Sequence, residues 1–252
     1  MRTLPARLLQ HPALILGSAT LALHLWANGG YDYFRDELYF IVCGRHLDWG
    51  YVDQPPLVPL IARLAETLFG DSLLGLRLVP ALAAAALVAL GADAARRLGG
   101  GMFARWLAGL ALLAAPVFRL DGLLLSTDSL QPLTWLAASL LLIEASRTGR
   151  ASAWYALGVV VGIAMLAKYM IAFFLVACAI GLVLTPARRA LLQPAPWLAG
   201  ILAVLIMLPN LLWQQAHGWP FLELGEAAAN GDRKSTRLNS SHESVSRMPS
   251  SA

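Results

Sequence analysis

The chain has 252 residues, 58% apolar and 13% charged, with a formal net charge of +4 and a mean hydropathy of +0.62. Soluble domains are about one-quarter charged, so this composition excludes an ordinary soluble enzyme. The basic residues sit in short loops without interleaved aromatics, which argues against a nucleic-acid partner, and Cys43 and Cys178 lie far apart with neither metal nor disulfide spacing.

In chain order, MRTLPARLLQHPALILGSATLALHLWANGG begins like a signal peptide, basic and then apolar. More apolar runs follow it, so it reads as an uncleaved first span. The runs fall at about 11–28, 73–92, 103–118, 130–146, 152–167, 169–185 and 196–213, each close to the length that a bilayer core of about 20 residues requires. The expected fold is all-α: a polytopic membrane protein of about seven transmembrane helices. Arg2, Arg7, Arg96, Arg97, Arg105, Arg147, Arg150, Arg188 and Arg189 then fall on one side. By the positive-inside rule that side is cytoplasmic and holds the N-terminus. Asp32, Asp36, Glu37, Asp48, Asp53, Glu66, Asp71, Asp121 and Asp128 fall on the other, with Arg35, Arg45, Arg63, Arg119 and Lys168 among them. Function is expected on that outer, acid-bearing side.

The connection over residues 29–72 is long for a simple linker. Tyr31, Tyr33, Phe34, Tyr39, Phe40, Trp49 and Tyr51 recur along it, as expected for short helices lying in the membrane interface. In RDELYFIVCGRHL, Leu38, Ile41 and Val42 share one helical face and Gly44 is a natural stop. Asp36 and Glu37 then occupy a helix's first turn, which the helix dipole favours without any catalysis. Adjacent residues also point about 100° apart, so the two carboxylates cannot meet one ligand alike. In GYVDQPPLVPLIARL, Asp53 and Gln54 precede a double proline that forces an extended entry into a helix. In LDGLLLSTDSLQPL, Ser126, Thr127 and Asp128 stand where a helix cap is needed. Lys168 interrupts apolar sequence in MLAKYMIAFF, either snorkelling or meeting an anionic ligand. Trp213, His217 and Trp219 suit an interfacial anchor. Glu37 and His46 are weak candidates for a divalent metal site, since no spacing here carries metal-ligand information.

From about Gly231 the sequence becomes GDRKSTRLNSSHESVSRMPSSA, polar, Ser-rich and aperiodic. Such a segment cannot bury enough surface to fold alone. It looks like translated adapter-type sequence rather than native protein, which divides the chain into a membrane region over 1–230 and a disordered, non-native tail over 231–252. The natural protein is then expected to continue beyond Asn230.

Together YDYFRDELYF, VDQPPL, STDSLQ, LAKYM and PNLLWQQAHGWP, in this order, resemble bacterial glycosyltransferase family 39 over roughly residues 10–228. These are GT-C-fold enzymes akin to protein O-mannosyltransferases and lipid A aminoarabinose transferases. The resemblance implies a polyprenyl-phosphate sugar donor and a lipid, glycan or protein acceptor, with inverting transfer on the periplasmic face of the bacterial inner membrane. It implies Asp36 as general base, with Glu37 positioning the acceptor or helping to bind a metal. Asp128, with Asp53 and Gln54, would support the first loop or the acceptor, and Lys168, with Arg63 or Arg119, would hold the donor phosphate. The family's His-Pro-Pro element stands here as Gln54-Pro55-Pro56, which removes an imidazole from the site. The competing class is a transporter or lipid flippase, which would place polar groups at mid-bilayer on interrupted, repeated helices; no internal repeat is visible, and the acids cluster outside the spans.

Overall fold

The computed structural model describes residues 11–227. Its regular elements are helical throughout: α1 (Pro12–Ala27), α2 (Arg35–Arg45), α3 (Leu57–Phe69), α4 (Leu73–Leu76), α5 (Leu78–Arg97), α6 (Met102–Ala114), α7 (Pro116–Leu123), α8 (Gln131–Thr148), α9 (Ala151–Ala167), α10 (Ile171–Leu184) and α11 (Pro194–Ala216). Short 3-10 turns lie at Asn28–Gly30 and Pro186–Leu192, and residues 220–227 are helical.

Every apolar run of the sequence is helical, and the protein is an all-α membrane protein. Two units, Leu73–Arg97 and Pro194–Ala216, are each long and apolar enough to cross a bilayer. Two more qualify only as bent pairs: α6 with α7, broken by 62°, and α10 with the Pro186–Leu192 turn, broken by 103°. The first break falls at Ala115-Pro116, where proline lacks the N–H to continue the ladder and disfavours helical geometry before it. The remaining runs form shorter or more charged helices, so two to four crossings satisfy length and composition where about seven were expected.

Helices approach closely because the facing residues are small. Ala81, Ala84, Ala85, Val88 and Ala92 form the buried stripe of α5, and a Cβ on Gly17 of α1 would lie 3.1 Å from Ala89. Alanine faces likewise bring α9 against α11 through Ala153, Ala195 and Ala199 beside the buried Trp154. Small residues are the usual device for helix contact in lipid, where burial of apolar surface gives no drive. A second core lies at the opposite end of the molecule from Arg96 and Arg97. There Phe40 of α2, Val58, Ala62 and Ala65 of α3, Leu76 of α4 and Leu125 close on one another.

Two expected local features differ. Gly44 does not stop α2, which runs on to Arg45; a Cβ there would come within 2.8 Å of the Pro59 carbonyl, so this glycine lets α2 and α3 cross. Ser126, Thr127 and Asp128 do not cap α8, whose N-cap is Leu130 with no side-chain bond. The serines instead fold their own turn: Ser126 N–H donates to Ser129 Oγ (2.9 Å), and Ser129 Oγ donates to the Leu124 carbonyl (2.7 Å). The compositional break after residue 230 lies outside the described residues.

Candidate active site

Phe34 is extended and Arg35 opens α2, so the first helical turn carries Asp36 and Glu37. Their environments are opposite. Glu37 is fully buried, and its two oxygens take bonds from Arg77 Nε (2.9 Å) and Nη2 (2.7 Å). Its Oε2 also accepts the Phe34 N–H (2.9 Å), the carboxylate half of a capping box. Its Oε1 accepts the Leu125 N–H at 3.2 Å. Arg77, 1% exposed, gives its remaining donors to the carbonyls of Asn28 (2.9 Å), Tyr31 (3.1 Å) and Asp32 (2.9 Å). All five guanidinium N–H groups are therefore used. This pair fastens α2, the end of α1, the start of α5 and the loop before α8 at one point.

Asp36 turns away from that point. Its side chain is 45% exposed and touches only Arg35, Nε to Oδ1 at 3.2 Å, among the described residues. A bond of that kind on the surface contributes little. The local chemistry thus leaves one carboxylate saturated and inside, its neighbour accessible and beside it.

The rest of the first loop is pinned by side chains. Tyr39 donates to Asp53 Oδ1 at 2.7 Å, and burial, then this bond, pushes the phenol pKa well up. Gln54 is buried, its Nε2 3.9 Å from Cys43 Sγ. Asp53 is exposed but bound by the Tyr39 hydroxyl, and Gln54 is buried with its Oε1 unpartnered among the described residues. At its far end the loop meets α11 and the break between α9 and α10. Asn210 Nδ2 donates to the Trp49 carbonyl (2.8 Å) and Oδ1 accepts from Tyr169 Oη (2.8 Å). Gln214 Nε2 reaches the Tyr51 carbonyl (3.3 Å). Gly50 lies against the Trp213 ring so tightly that any Cβ would collide with it.

Lys168, extended between α9 and α10, points the other way from Tyr169: its Nζ lies 2.6 Å from Asp128 Oδ1. Asp128 follows by three residues the Leu125 whose N–H binds Glu37, so the Asp128–Lys168 pair adjoins the first loop. The other expected cations do not join them. Arg63 pairs with Glu66 (2.9 Å), which Arg45 also binds (2.6 Å). Those two arginines hold the Glu66 carboxyl below its ordinary 4.5. Arg119 lines a separate groove with Leu23, His24 and Trp26. His46 is exposed at the end of α2. Among the described residues no three His, Cys, Asp or Glu side chains converge as a metal site. With Glu37 saturated, a divalent ion finds no donor set in Glu37 and His46.

Below Asp128 a groove of about 970 Å³ runs between α5, α6, α7 and α8. Asp121, Asp128 and Gln131 stand at one end and Ala94, Ala95 and Leu98 at the other. The residues that sequence reasoning passed over are Arg77, Tyr169, Asn210, Gln214 and Asp121. Arg77 had a signal: a lone charge inside the apolar run LLGLRLVPALAAAA. So had Asn210 and Gln214, two amides one helical turn apart on an apolar helix.

Comparison with known proteins fits this arrangement. Residues 53–213 match the model of the dolichyl-phosphate-mannose-protein mannosyltransferase family. A lipid A galacturonosyltransferase of Rhizobium johnstonii is 33% identical over 191 residues, covering 74% of this chain. The chain spans 39% of that relative's length. No solved structure matches the chain. The matched segment runs from the Asp53 turn through Arg77, Asp128, Lys168 and Asn210 to Trp213, taking in most of the interlocked site, and the chain belongs to the dolichyl-phosphate-mannose-protein mannosyltransferase family.

Proposed function

We propose that the protein moves a sugar from a polyprenyl-phosphate donor to a hydroxyl of a lipid A-type acceptor at the acid-bearing face. The observation that carries this reading is the split between Asp36 and Glu37. One carboxylate is buried and saturated, which fixes the helix turn, and its neighbour is left accessible to act as a base, while Lys168 pairs with Asp128 in the loop that Glu37 also binds. The family supports a lipid-linked donor, and the name of the similar Rhizobium protein supports lipid A as acceptor.

In this reaction the acceptor oxygen attacks the anomeric carbon from the face opposite the phosphate, inverting it. The C1–O bond breaks and its electron pair leaves with the lipid phosphate, where Lys168 meets the growing negative charge. Asp36 takes the acceptor proton as the new bond forms. In the free enzyme Asp128 holds Lys168; the donor phosphate competes for the lysine on binding and releases Asp128 toward the acceptor. The arginines at the far ends of the helices support, by the positive-inside rule, a cytoplasmic far side and a reaction on the periplasmic side of the bacterial inner membrane.

The test is Asp36→Asn in the full-length enzyme, reconstituted with a polyprenyl-phosphate sugar and lipid A. Loss of a general base costs about 10²–10⁴-fold in rate, with folding unchanged because Asp36 has only a surface partner. Transfer at the normal rate would remove Asp36 as the base.

A further inference from the structure

The arginine-bearing end of the molecule holds a separate, apolar cavity. It measures about 700 Å³, lies between α8, α9, α10 and α11, and no charged side chain lines it. Along α11 its wall runs from Pro196 to Met207, 11 residues apart, which is about 16 Å of helix. Half of a hydrocarbon core is about 15 Å, so the cavity has the depth of one leaflet. Gly200 stands on this wall, and a Cβ there would meet no atom within 4 Å. Glycine weakens a helix interior; where no neighbour crowds it, its use leaves space for a ligand against the backbone.

The rim of the cavity is cationic. Ala190 packs against the cluster of Trp154 and Ala195, and Leu191 lines the cavity. Arg188 and Arg189 therefore stand within one 3-10 turn of the rim, and both are exposed. The acids on this side, Asp93 and Glu144, are taken by Arg96, Arg97 and Arg150. Arg188 and Arg189 are thus left without a counter-charge among the described residues. Two indoles mark the level between charge and cavity. Trp197 donates its Nε1–H to the Leu191 carbonyl at 2.9 Å. Trp154, 3% exposed, keeps its Nε1 buried with no acceptor among the described residues, and a buried N–H is costly to leave unpaired. A diacyl phospholipid of negative charge offers the matching groups in the same order: phosphate for the arginines, an ester carbonyl for the indole, an acyl chain for the cavity.

We propose that the α8–α11 cavity binds an acyl chain of an anionic phospholipid from the leaflet on the arginine-bearing side, with its phosphate on Arg188 and Arg189. Trp154 and Lys168 lie at opposite ends of α9, so this site is remote from the transfer reaction and does not rest on it.

The full-length enzyme in phosphatidylcholine nanodiscs is irradiated with two probes, a phosphatidylglycerol and a phosphatidylcholine, each with a diazirine on one acyl chain. The phosphatidylglycerol probe is expected to label the cavity walls on α9 and α11 about tenfold more strongly. Gly200→Phe and the milder Gly200→Leu, which grow into open space, should each lower that labelling about tenfold. Arg188→Gln combined with Arg189→Gln should bring it down to the phosphatidylcholine level. In detergent, added phosphatidylglycerol should raise the unfolding midpoint of the parent and not of these variants. Equal labelling by the two probes would overturn the proposal, as would phosphatidylglycerol labelling that neither kind of variant changes. So would displacement of the probe by polyprenyl phosphate and not by phosphatidylglycerol, or cavity residues that crosslink to another helix of the enzyme in place of lipid.

Discussion

Arg77 is where the physical cost of the site is concentrated. A buried guanidinium is tolerated only when every N–H has a partner, and here two go to Glu37 and three to backbone carbonyls. Removing one member strands the other's charge in a dry interior. Arg77→Leu is therefore expected to destabilise the fold by about 3–5 kcal/mol, read as a lower unfolding midpoint in detergent. Arg77→Lys should recover little, because an ammonium has three donors from one point and cannot serve five directions. The double variant Arg77→Leu, Glu37→Leu should be less damaged than Arg77→Leu, since no charge is left alone. Equal midpoints for the single and double variants would show that the three carbonyl bonds, rather than the ion pair, hold this corner. Asp36, one residue from Glu37, follows the opposite logic: its contact with Arg35 is exposed, so its replacement is expected to leave stability unchanged.

At the scale of elements, the first loop acts as a plate held at two edges. Along one edge α2 and α3 cross at Gly44, with Arg45 reaching across to Glu66, which Arg63 also holds from within α3. Along the other, the turn Trp49–Tyr51 is pressed onto α11. Gly50 is required there by space alone, because the Trp213 ring and the Asn210 amide occupy the volume of a Cβ. Gly50→Ala is expected to cost about 1–3 kcal/mol by overpacking, and the strain should be relieved by lifting the turn off the helix. Hydrogen exchange would then quicken over residues 46–54 while α5 keeps its protection. Quickening spread evenly over the helices would mean that the turn is not an independent edge.

The whole molecule shows which parts of this arrangement are legible from one dimension. Helix positions follow from apolar run length, so each expected run became a helix. How many helices are long and apolar enough to cross a bilayer alone was not legible, because Pro116 breaks one run and the run over 169–185 ends in a sharp bend at Pro186. Asp36 and Glu37 could be placed on one helix turn, yet not sorted into exposed and buried, because sorting depends on Arg77, 40 residues away. The clamp was hidden for the same reason: Asn210 and Trp49 are separated by 161 residues. Asn210 is fully buried and joins three segments by two bonds, to the Trp49 carbonyl and from Tyr169. Tyr169 is the neighbour of Lys168, so this amide ties the lysine's backbone to the loop that carries Asp36. Asn210→Leu keeps the size of the side chain and leaves both partners unpaired, a cost of about 1–3 kcal/mol in stability. On the mechanism proposed above, activity should fall by more than the unfolded fraction accounts for, because Lys168 and Asp36 lose their common reference and misplacement of reacting groups is costly. Asn210→Asp can still accept from Tyr169 while losing the donor to Trp49, and should fall between. The measurement is turnover per folded molecule for the three proteins; equal turnover would confine Asn210 to holding the fold together, with no part in aligning the site.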